Sequence, residues 1–138
     1  MTYTAYFDGS CGPVNPGGTV CYGAVVFLGE EQMWSCSMRW EPPSGVRTTN
    51  NIAEYLGLLA VLDFFIRYNL TASKIVVHGD SRLVIEQVFG TWKIKSRGRY
   101  YEKLAVAARD KAGLFRSLSG KWIPREENTL ADTLSKPL

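Results

Sequence analysis

The chain has 138 residues, 46% hydrophobic and 21% charged, a size and balance that predict one globular domain spanning residues 1–138. Its apolar runs are shorter than the roughly 20 residues of a membrane-spanning helix, and its N-terminus lacks the pattern of a signal peptide. Its three cysteines lack the CxxC spacing of a zinc site. We therefore expect a cytoplasmic monomer with free thiols and no membrane partner.

The net charge of +3 is unevenly distributed along the chain. Residues 91–125 hold ten lysines and arginines against two acids, whereas residues 1–90 hold five against eight. A local basic stretch favours a polyanionic partner, because each phosphate contact releases condensed counterions. A solvated helix face explains this stretch equally well when it is taken alone.

The first 40 residues predict three antiparallel strands. Alternating apolar residues predict a strand over Tyr3–Asp8, and the turn-forming residues 9–18 predict a loop. Residues 19–28 and 31–40 are typical of two strands joined by the tight turn Gly29-Glu30.

The remainder of the chain predicts helices alternating with strands. Thr49 is a good N-cap for an apolar helix. The predicted elements are helices over 50–68, 82–89, 99–112 and 128–134 and strands over 74–79 and 121–123. The order βββαβααβα predicts an α/β fold with a five-stranded mixed sheet, in which strands 4 and 5 run parallel to strand 1.

Four carboxylates lie where an acid is hard to explain by solubility. Asp8 ends the first strand, and Asp80 follows the fourth strand at the sheet end where α/β proteins bind ligands. Glu54 and Asp132 lie among apolar helix residues, where an unpaired carboxylate is costly to bury. Each of them alone is also explained as a turn, cap or helix-dipole residue.

Taken together, the four carboxylates predict a metal centre. Carboxylates gathered without histidine or cysteine are hard oxygen ligands that select Mg²⁺ or Mn²⁺. We expect two Mg²⁺ ions, with Mn²⁺ as a substitute. One such ion can activate a water for attack at phosphorus, and the other can stabilise the leaving 3′ oxygen.

Four segments resemble, in order, the motifs of type 1 ribonuclease H. They are Phe7–Cys11 with Asn15–Gly18, Thr48–Glu54, Gly79–Ser81 and Pro124–Asp132. The resemblance covers essentially the whole chain, and four motifs in register are far more specific than any one of them. It implies the ribonuclease H-like fold, with helices on both faces of the sheet. It also implies hydrolysis of the RNA strand of an RNA–DNA hybrid, leaving 5′-phosphate and 3′-hydroxyl ends.

The resemblance also assigns roles to individual residues. Its catalytic metal ligands match Asp8, Glu54, Asp80 and Asp132. Its substrate-binding positions match Gly9, Ser10, Asn15, Thr49, Asn50 and Asn51. The three asparagines match contacts to the minor groove of the hybrid, where amides meet 2′-hydroxyls. Thr49 matches a position that binds a phosphate of the DNA strand, and a helix N-terminus favours an anion there. Capping and turn formation are alternative roles for these residues, and both can hold at once.

One departure from the family concerns proton transfer. Many relatives carry a histidine in the loop before the last aspartate, whereas residues 124–131 contain none. The identity of a proton carrier is therefore open, with Glu127 and Arg125 as the candidates. His78, two residues before Asp80, is more simply explained as a strand histidine near the site.

A second departure is the short segment before the helix at residue 99. It leaves little room for the basic protrusion with which some relatives grip DNA. The segment offers an aromatic residue among cations, namely Trp92, Lys93, Lys95 and Arg97. We predict that it partly replaces the protrusion by packing on sugars and neutralising phosphates, with weaker and more salt-sensitive binding. In the alternative, Trp92 is buried and the cations are solvated.

Several alternative functions remain open at this point. The ribonuclease H domain of a retroelement reverse transcriptase would carry the same motifs, although Met1 just before the first strand favours a free-standing protein. An inactive nucleic-acid-binding module of the same fold is a further alternative, against which the four intact acids argue. A related nuclease acting on DNA and a small phosphate binder using loop 9–18 fit the motifs less well.

Overall fold

The computed structural model describes residues 2–136. The strands are β1 (Thr2–Gly12), β2 (Thr19–Leu28), β3 (Glu31–Trp40), β4 (Lys74–Gly79) and β5 (Ser117–Trp122). The helices are α1 (Asn50–Arg67), α2 (Arg82–Val88), α3 (Tyr100–Ala112) and α4 (Thr129–Leu134), and a 3₁₀ turn spans Arg125–Glu127.

The five strands form one mixed sheet in the order β3-β2-β1-β4-β5. β1 pairs antiparallel with β2, and β2 pairs antiparallel with β3. β4 pairs parallel with β1 on one side and with β5 on the other. The predicted mixed sheet is therefore confirmed, including the parallel direction of its last two strands.

Helices cover both faces of this sheet. Phe7 and Ala24 point to the face covered by α1, where they join a core with Leu58. Gly23 points to the opposite face, because successive strand residues alternate. A Cβ atom on Gly23 would lie 2.4 Å from Cβ of Leu134, so its missing side chain lets α4 pack on that face.

The strand β1 is longer than the sequence predicts. It pairs with β2 as far as Gly12 opposite Thr19, so the loop begins at Pro13 rather than at Gly9. Ser10 and Cys11 are part of this ladder, opposite Cys21 and Val20. The prediction of a loop from residue 9 was wrong because residues 9–12 have a turn-forming composition. Their backbone pairing with a neighbouring strand overrides this weak local propensity.

The strand β5 and the turn after it also correct the prediction. β5 begins at Ser117, four residues before the predicted start at Lys121. Serine and glycine are poor strand formers, but Gly120 is needed because the ring of Phe89 lies where its Cβ would stand. The 3₁₀ turn Arg125–Glu127 was not predicted, and helix ends elsewhere differ from prediction by one residue.

Candidate active site

Three of the four predicted carboxylates meet at one end of the sheet. Asp8, Glu54 and Asp80 each offer an oxygen, and these oxygens lie within 4.8 Å of one another. Parallel pairing sets Phe7 opposite Gly79, so the aspartates that follow these two residues lie side by side. We call the cavity around them, about 440 Å³ in volume, the carboxylate pocket.

Glu54 reaches this pocket because α1 approaches β1 unusually closely. A Cβ atom on Gly9 would lie 2.2 Å from the carbonyl carbon of Ala53, so only glycine fits at this crossing. The N–H group of Gly9 donates hydrogen bonds to Asp8 Oδ1, at 2.9 Å, and to Glu54 Oε1. Gly9, predicted to bind substrate, thus lies where it packs α1 on β1 and bonds two of the carboxylates.

The crowding of buried acids shifts their pKa values upward. Burial raises the pKa of Asp8 to about 6, and the Asp80 carboxylate adds to this rise, while a hydrogen bond with Glu54 opposes it. Burial and the adjacent Asp8 raise the pKa of Glu54 well above its usual value. Burial also raises the pKa of Asp80, against the effect of a hydrogen bond from Asn128. A divalent cation would relieve this repulsion, and three carboxylate oxygens at this spacing are ligands that suit Mg²⁺.

The fourth predicted carboxylate, Asp132, lines the same pocket but is held at its rim. Its Oδ1 lies 3.5 Å from Nη2 of Arg125, and its Oδ2 lies 3.5 Å from Nζ of Lys136. The Asp132 side chain is 22% exposed, whereas Asp8 and Glu54 are buried. The carboxylate is close enough to contribute to the raised pKa values of Asp8 and Asp80.

Three hydrogen bonds fix the position of α4, and thereby of Asp132. Asn128 Nδ2 donates to the carbonyl of Phe7 at 2.9 Å. The hydroxyl of Ser10 donates to the carbonyl of Ser135 at 2.5 Å, and that of Ser37 donates to the carbonyl of Leu134 at 2.6 Å. Ser10, predicted to bind substrate, therefore lies with its hydroxyl turned to the end of α4. The sequence had marked Asn128 and Ser37 only as a helix start and a strand residue.

The predicted minor-groove asparagines cluster at the start of α1. Asn50 and Asn51 both line the carboxylate pocket. Asn50 Oδ1 accepts a hydrogen bond from the N–H group of Cys11 at 2.9 Å, and Asn15 Oδ1 accepts one from the N–H group of Asn50 at 3.1 Å. These bonds attach the loop after β1 to the first turn of α1, beside the carboxylates.

A second cavity, about 680 Å³ in volume, lies beside the first and is lined by cations. We call it the basic pocket. Thr49 lines it, with its hydroxyl accepting a hydrogen bond from the N–H group of Ile52 as N-cap of α1. Arg47, Arg99 and Lys103 complete its charged lining. Asn51 lines both pockets, so the two are adjacent at the start of α1.

Sequence reasoning did not bring the three cations of the basic pocket together, although it included Arg99 in the basic segment 92–99 and counted Lys103 in the basic stretch 91–125. Arg47 lies two residues before Thr49, a spacing that already places it near the helix start. Arg99 and Lys103 are four residues apart at the start of α3, so they share one helix face. The helical spacing was visible in the sequence, but the packing of α3 beside the start of α1 was not.

The basic segment 92–99 forms an extended connection between α2 and α3. Trp92 is 44% exposed, so the alternative of a buried tryptophan is wrong. The buried carboxylate of Glu102 accepts hydrogen bonds from the N–H groups of Arg97 and Arg99 and thereby anchors the segment. Lys93, Lys95 and Arg97 are exposed, and within residues 2–136 they line neither of the two pockets.

The two candidate proton carriers lie on different sides of the 3₁₀ turn. Arg125 lines the carboxylate pocket, whereas Glu127 lines a separate cavity with Tyr6 and Phe27. His78 stacks on Tyr6 with ring centroids 4.8 Å apart, and its Nδ1 lies 3.3 Å from the carbonyl oxygen of Ala5. Burial lowers the pKa of His78, so it is mainly neutral at pH 7 and fits the expected strand histidine.

Comparison with known proteins agrees with this arrangement. The family model described as Reverse transcriptase-like matches residues 14–137. The structure of ribonuclease H1 from the archaeon Halobacterium salinarum superposes with a TM-score of 0.80 at 30% identity, covering 97% of this chain and 94% of that one. The chain belongs to the type 1 ribonuclease H family.

A second relative, known both as a solved domain and as a whole sequence, defines the extent of the match. The N-terminal ribonuclease H domain of Rv2228c from Mycobacterium tuberculosis superposes with a TM-score of 0.80 at 36% identity, covering 97% and 90% of the two chains. The sequence of the complete bifunctional protein Rv2228c aligns with this chain over 127 residues at 39% identity. The aligned residues make up 92% of this chain and 32% of that protein. This ribonuclease H-family chain thus spans about a third of the length of the curated relatives it matches.

A third relative has been solved with nucleic acid. LC11-ribonuclease H1 in complex with an RNA/DNA hybrid superposes with a TM-score of 0.76 at 26% identity, covering 96% of this chain and 92% of that one. In the chain described here, none of the helices within residues 2–136 has the length and apolar character needed to cross a bilayer.

Proposed function

We propose that residues 1–138 form one domain, a metal-dependent ribonuclease H that hydrolyses the RNA strand of RNA–DNA hybrids. The observation that carries this proposal is the group of carboxylate oxygens of Asp8, Glu54 and Asp80 within 4.8 Å of one another in a ribonuclease H-family chain. The hybrid seen with LC11-ribonuclease H1 supports the substrate class. We further propose that the protein acts as a monomer in the cytoplasm.

The metal ligands in this proposal are Asp8, Glu54 and Asp80, with Asp132 joining them from the rim of the pocket. The carboxylate-only donor set favours Mg²⁺ or Mn²⁺. Bound ions would supply Lewis-acid stabilisation of the phosphoryl oxygens and an activated water, with 5′-phosphate and 3′-hydroxyl products. Four carboxylates balance the charge of two divalent ions.

The remaining residues bind and orient the hybrid. The side chains of Asn50 and Asn51 line the carboxylate pocket, where amides can meet 2′-hydroxyls. The adjacent basic pocket offers Thr49 and three cations to a phosphate of the DNA strand. One duplex touching both pockets would present its RNA strand to the carboxylates and its DNA strand to the cations.

Arg125 is better suited to charge stabilisation than to proton transfer. An arginine side chain stays protonated in proteins, so it cannot act as a base. Its position against Asp132 lets it offset negative charge in the pocket. Glu127 lines a different cavity, which makes it a poor candidate for moving a proton at the carboxylates. We infer that protons are exchanged with solvent at the open rim of the pocket.

The proposal is tested by cleavage of labelled substrates on a gel. We expect cleavage of an RNA–DNA hybrid with Mg²⁺ or Mn²⁺, no cleavage with a chelator, and no cleavage of RNA or DNA duplexes. Asp80→Asn should abolish cleavage, whereas the exposed Asp110→Asn on α3 should not. Equal cleavage by the wild type and Asp80→Asn would contradict the metal site, and cleavage of duplex DNA would contradict the substrate.

The description of the matching family keeps a second candidate open. A domain of a retroelement reverse transcriptase would fit the Reverse transcriptase-like family model. Such a domain would act on the same hybrid with the same carboxylates. The gel assay therefore tests the chemistry of both candidates, and a primer-extension assay on the full-length protein would separate them.

A further inference from the structure

A cavity of about 460 Å³ lies on the sheet face opposite α1, behind the carboxylate pocket. It opens between the β2–β3 turn and the start of α4. We call it the rear cavity and define it by the residues that matter for its chemistry, Tyr6, Phe27, Glu30, Glu127, Asn128 and Leu130. Neither the proposed reaction nor the proposed hybrid contacts use it.

The floor and one wall of the rear cavity are apolar. The rings of Tyr6 and Phe27 pack edge to face, with centroids 6.2 Å apart and planes at 83°. The side chain of Leu130 is 53% exposed. Exposed leucine beside half-buried aromatic rings is typical of a surface that receives another side chain.

The charged groups of the rear cavity are two carboxylates, and its neutral polar residues are Thr4, Tyr6, Asn128 and Thr129. Glu30 and Glu127 are exposed carboxylates at its rim. Asn128 is 1% exposed and contributes to the wall of the cavity, while its side-chain nitrogen donates to the carbonyl of Phe7. The lining, as the described residues form it, contains no lysine or arginine.

We propose that the rear cavity binds an arginine side chain of a partner protein. A guanidinium group has five N–H donors and no acceptor, which complements the two carboxylates Glu30 and Glu127. Its planar face also packs on aromatic rings, whereas the ammonium group of lysine is compact and strongly hydrated. Tyr6 and Phe27 supply that aromatic surface.

Other occupants fit this cavity less well. A divalent ion needs several close oxygens, but within residues 2–136 the cluster of three ligand atoms at metal spacing is Asp8, Glu54 and Asp80, away from this cavity. A nucleic acid backbone would be repelled by Glu30 and Glu127. The cations suited to phosphate line the basic pocket instead. A basic peptide and a hybrid can therefore occupy separate surfaces of one molecule.

The experiment is a titration of the ¹⁵N-labelled protein with acetyl-Gly-Arg-Gly-amide, followed by NMR. We expect saturable shifts of the backbone amides of Gly29, Thr129 and Leu130, which border the cavity. The same peptide with citrulline, which has the shape of arginine without its charge, should bind at least threefold more weakly. Equal affinity for the two peptides, or shifts confined to the carboxylate pocket, would overturn the proposal.

Charge-matched variants separate this site from general attraction. The double variant Glu30→Gln with Glu127→Gln should weaken binding of the arginine peptide at least threefold. The control Glu31→Gln with Glu126→Gln removes the same two charges from exposed neighbours outside the lining, and its affinity should stay within twofold of the wild type. Equal losses in the two double variants would contradict a specific site.

A further variant blocks the cavity, and its amide spectrum shows whether the protein is still folded. Leu130→Arg places a guanidinium of the chain itself beside the acceptors, at a position exposed enough to accept it. It should abolish binding of the arginine peptide while the amide spectrum stays dispersed. Retained binding in a folded Leu130→Arg variant would also overturn the proposal.

Discussion

The carboxylate pocket and the basic pocket lie side by side at the start of α1, yet they are built in opposite ways. The first gathers acids that are largely buried and whose pKa values are raised by burial and mutual repulsion. The second gathers exposed cations around an N-cap hydroxyl. The buried charges are costly to the apo fold and suit an ion, whereas the exposed charges cost little and suit a screened phosphate backbone.

Because the two pockets differ in this way, the catalytic rate and the affinity for the hybrid should respond to different substitutions in this chain. Changes to the carboxylates Asp8, Glu54 and Asp80 should alter the rate and the stability of the metal-free protein with little effect on hybrid affinity. Changes in the basic pocket should alter affinity and its salt dependence with little effect on the rate at saturation.

The largest effect is expected for Glu54→Gln. We expect a loss of kcat of about a thousandfold, because a metal ligand is removed, with hybrid affinity nearly unchanged. The metal-free variant should be as stable as the wild type or more stable by about 1 kcal/mol, since a neutral amide ends the repulsion with Asp8 and keeps the acceptor for Gly9. Steady-state kinetics and urea unfolding in chelator measure both. A clear loss of stability would show that the Glu54 carboxylate is structural.

The next largest effect is expected for hybrid binding by the cations of the basic pocket. Replacing Arg47, Arg99 and Lys103 together by Ala should weaken hybrid binding roughly 30-fold at low salt and flatten the dependence of affinity on salt. The rate at saturating hybrid should stay within a factor of about two. Fluorescence anisotropy at several salt concentrations measures the affinity. A fall in kcat as large as the fall in affinity would contradict the inference that the two pockets have separate roles.

The pH dependence of stability probes the carboxylate pocket directly. The pKa of Asp8 is raised to about 6, so between its unfolded value of 3.8 and pH 6 the folded chain binds a proton that the unfolded chain releases. This stabilisation is present at pH 4 and lost as the pH rises through 6, by up to about 3 kcal/mol.

The measurement is thermal unfolding from pH 4 to pH 7 in chelator, for the wild type and for Asp8→Asn. The wild type should lose more stability than the variant across this range. Mg²⁺ should restore the wild type at pH 7, because the ion replaces the proton. Parallel curves for the two proteins would show that Asp8 titrates normally in the folded chain.

The smallest effect is expected for the segment between α2 and α3. Replacing Lys93, Lys95 and Arg97 together by Ala removes as many charges as the triple change in the basic pocket and serves as its matched control. Because these side chains line neither pocket, we expect binding to weaken only about two- to fivefold at low salt. Unchanged affinity would contradict the prediction that this segment substitutes for a basic protrusion. A roughly 30-fold loss would show that this segment, and not the basic pocket, makes the main contacts with the hybrid.

Much of the fold could be predicted because its signals are local. The β-branched and aromatic content of β2, the tight turn before β3 and the short apolar run of β4 predicted these strands with their observed bounds. The Thr49 N-cap predicted the start of α1. β5 was placed poorly because serine and glycine conceal a strand whose stability comes from pairing with β4. The end of β1 was missed for the same reason, since its last residues are held by β2.

By itself, the sequence determined the order of the elements, the four acids worth attention and the family that their motifs resemble. Only the tertiary structure decided that Asp8, Glu54 and Asp80 meet within 4.8 Å while Asp132 is paired with Arg125 and Lys136. It also decided that cations from two separate segments form one basic pocket. The physical reason is that such distances depend on parallel strand pairing and on the close crossing of Gly9 and Ala53, which join parts of the chain that local patterns do not relate.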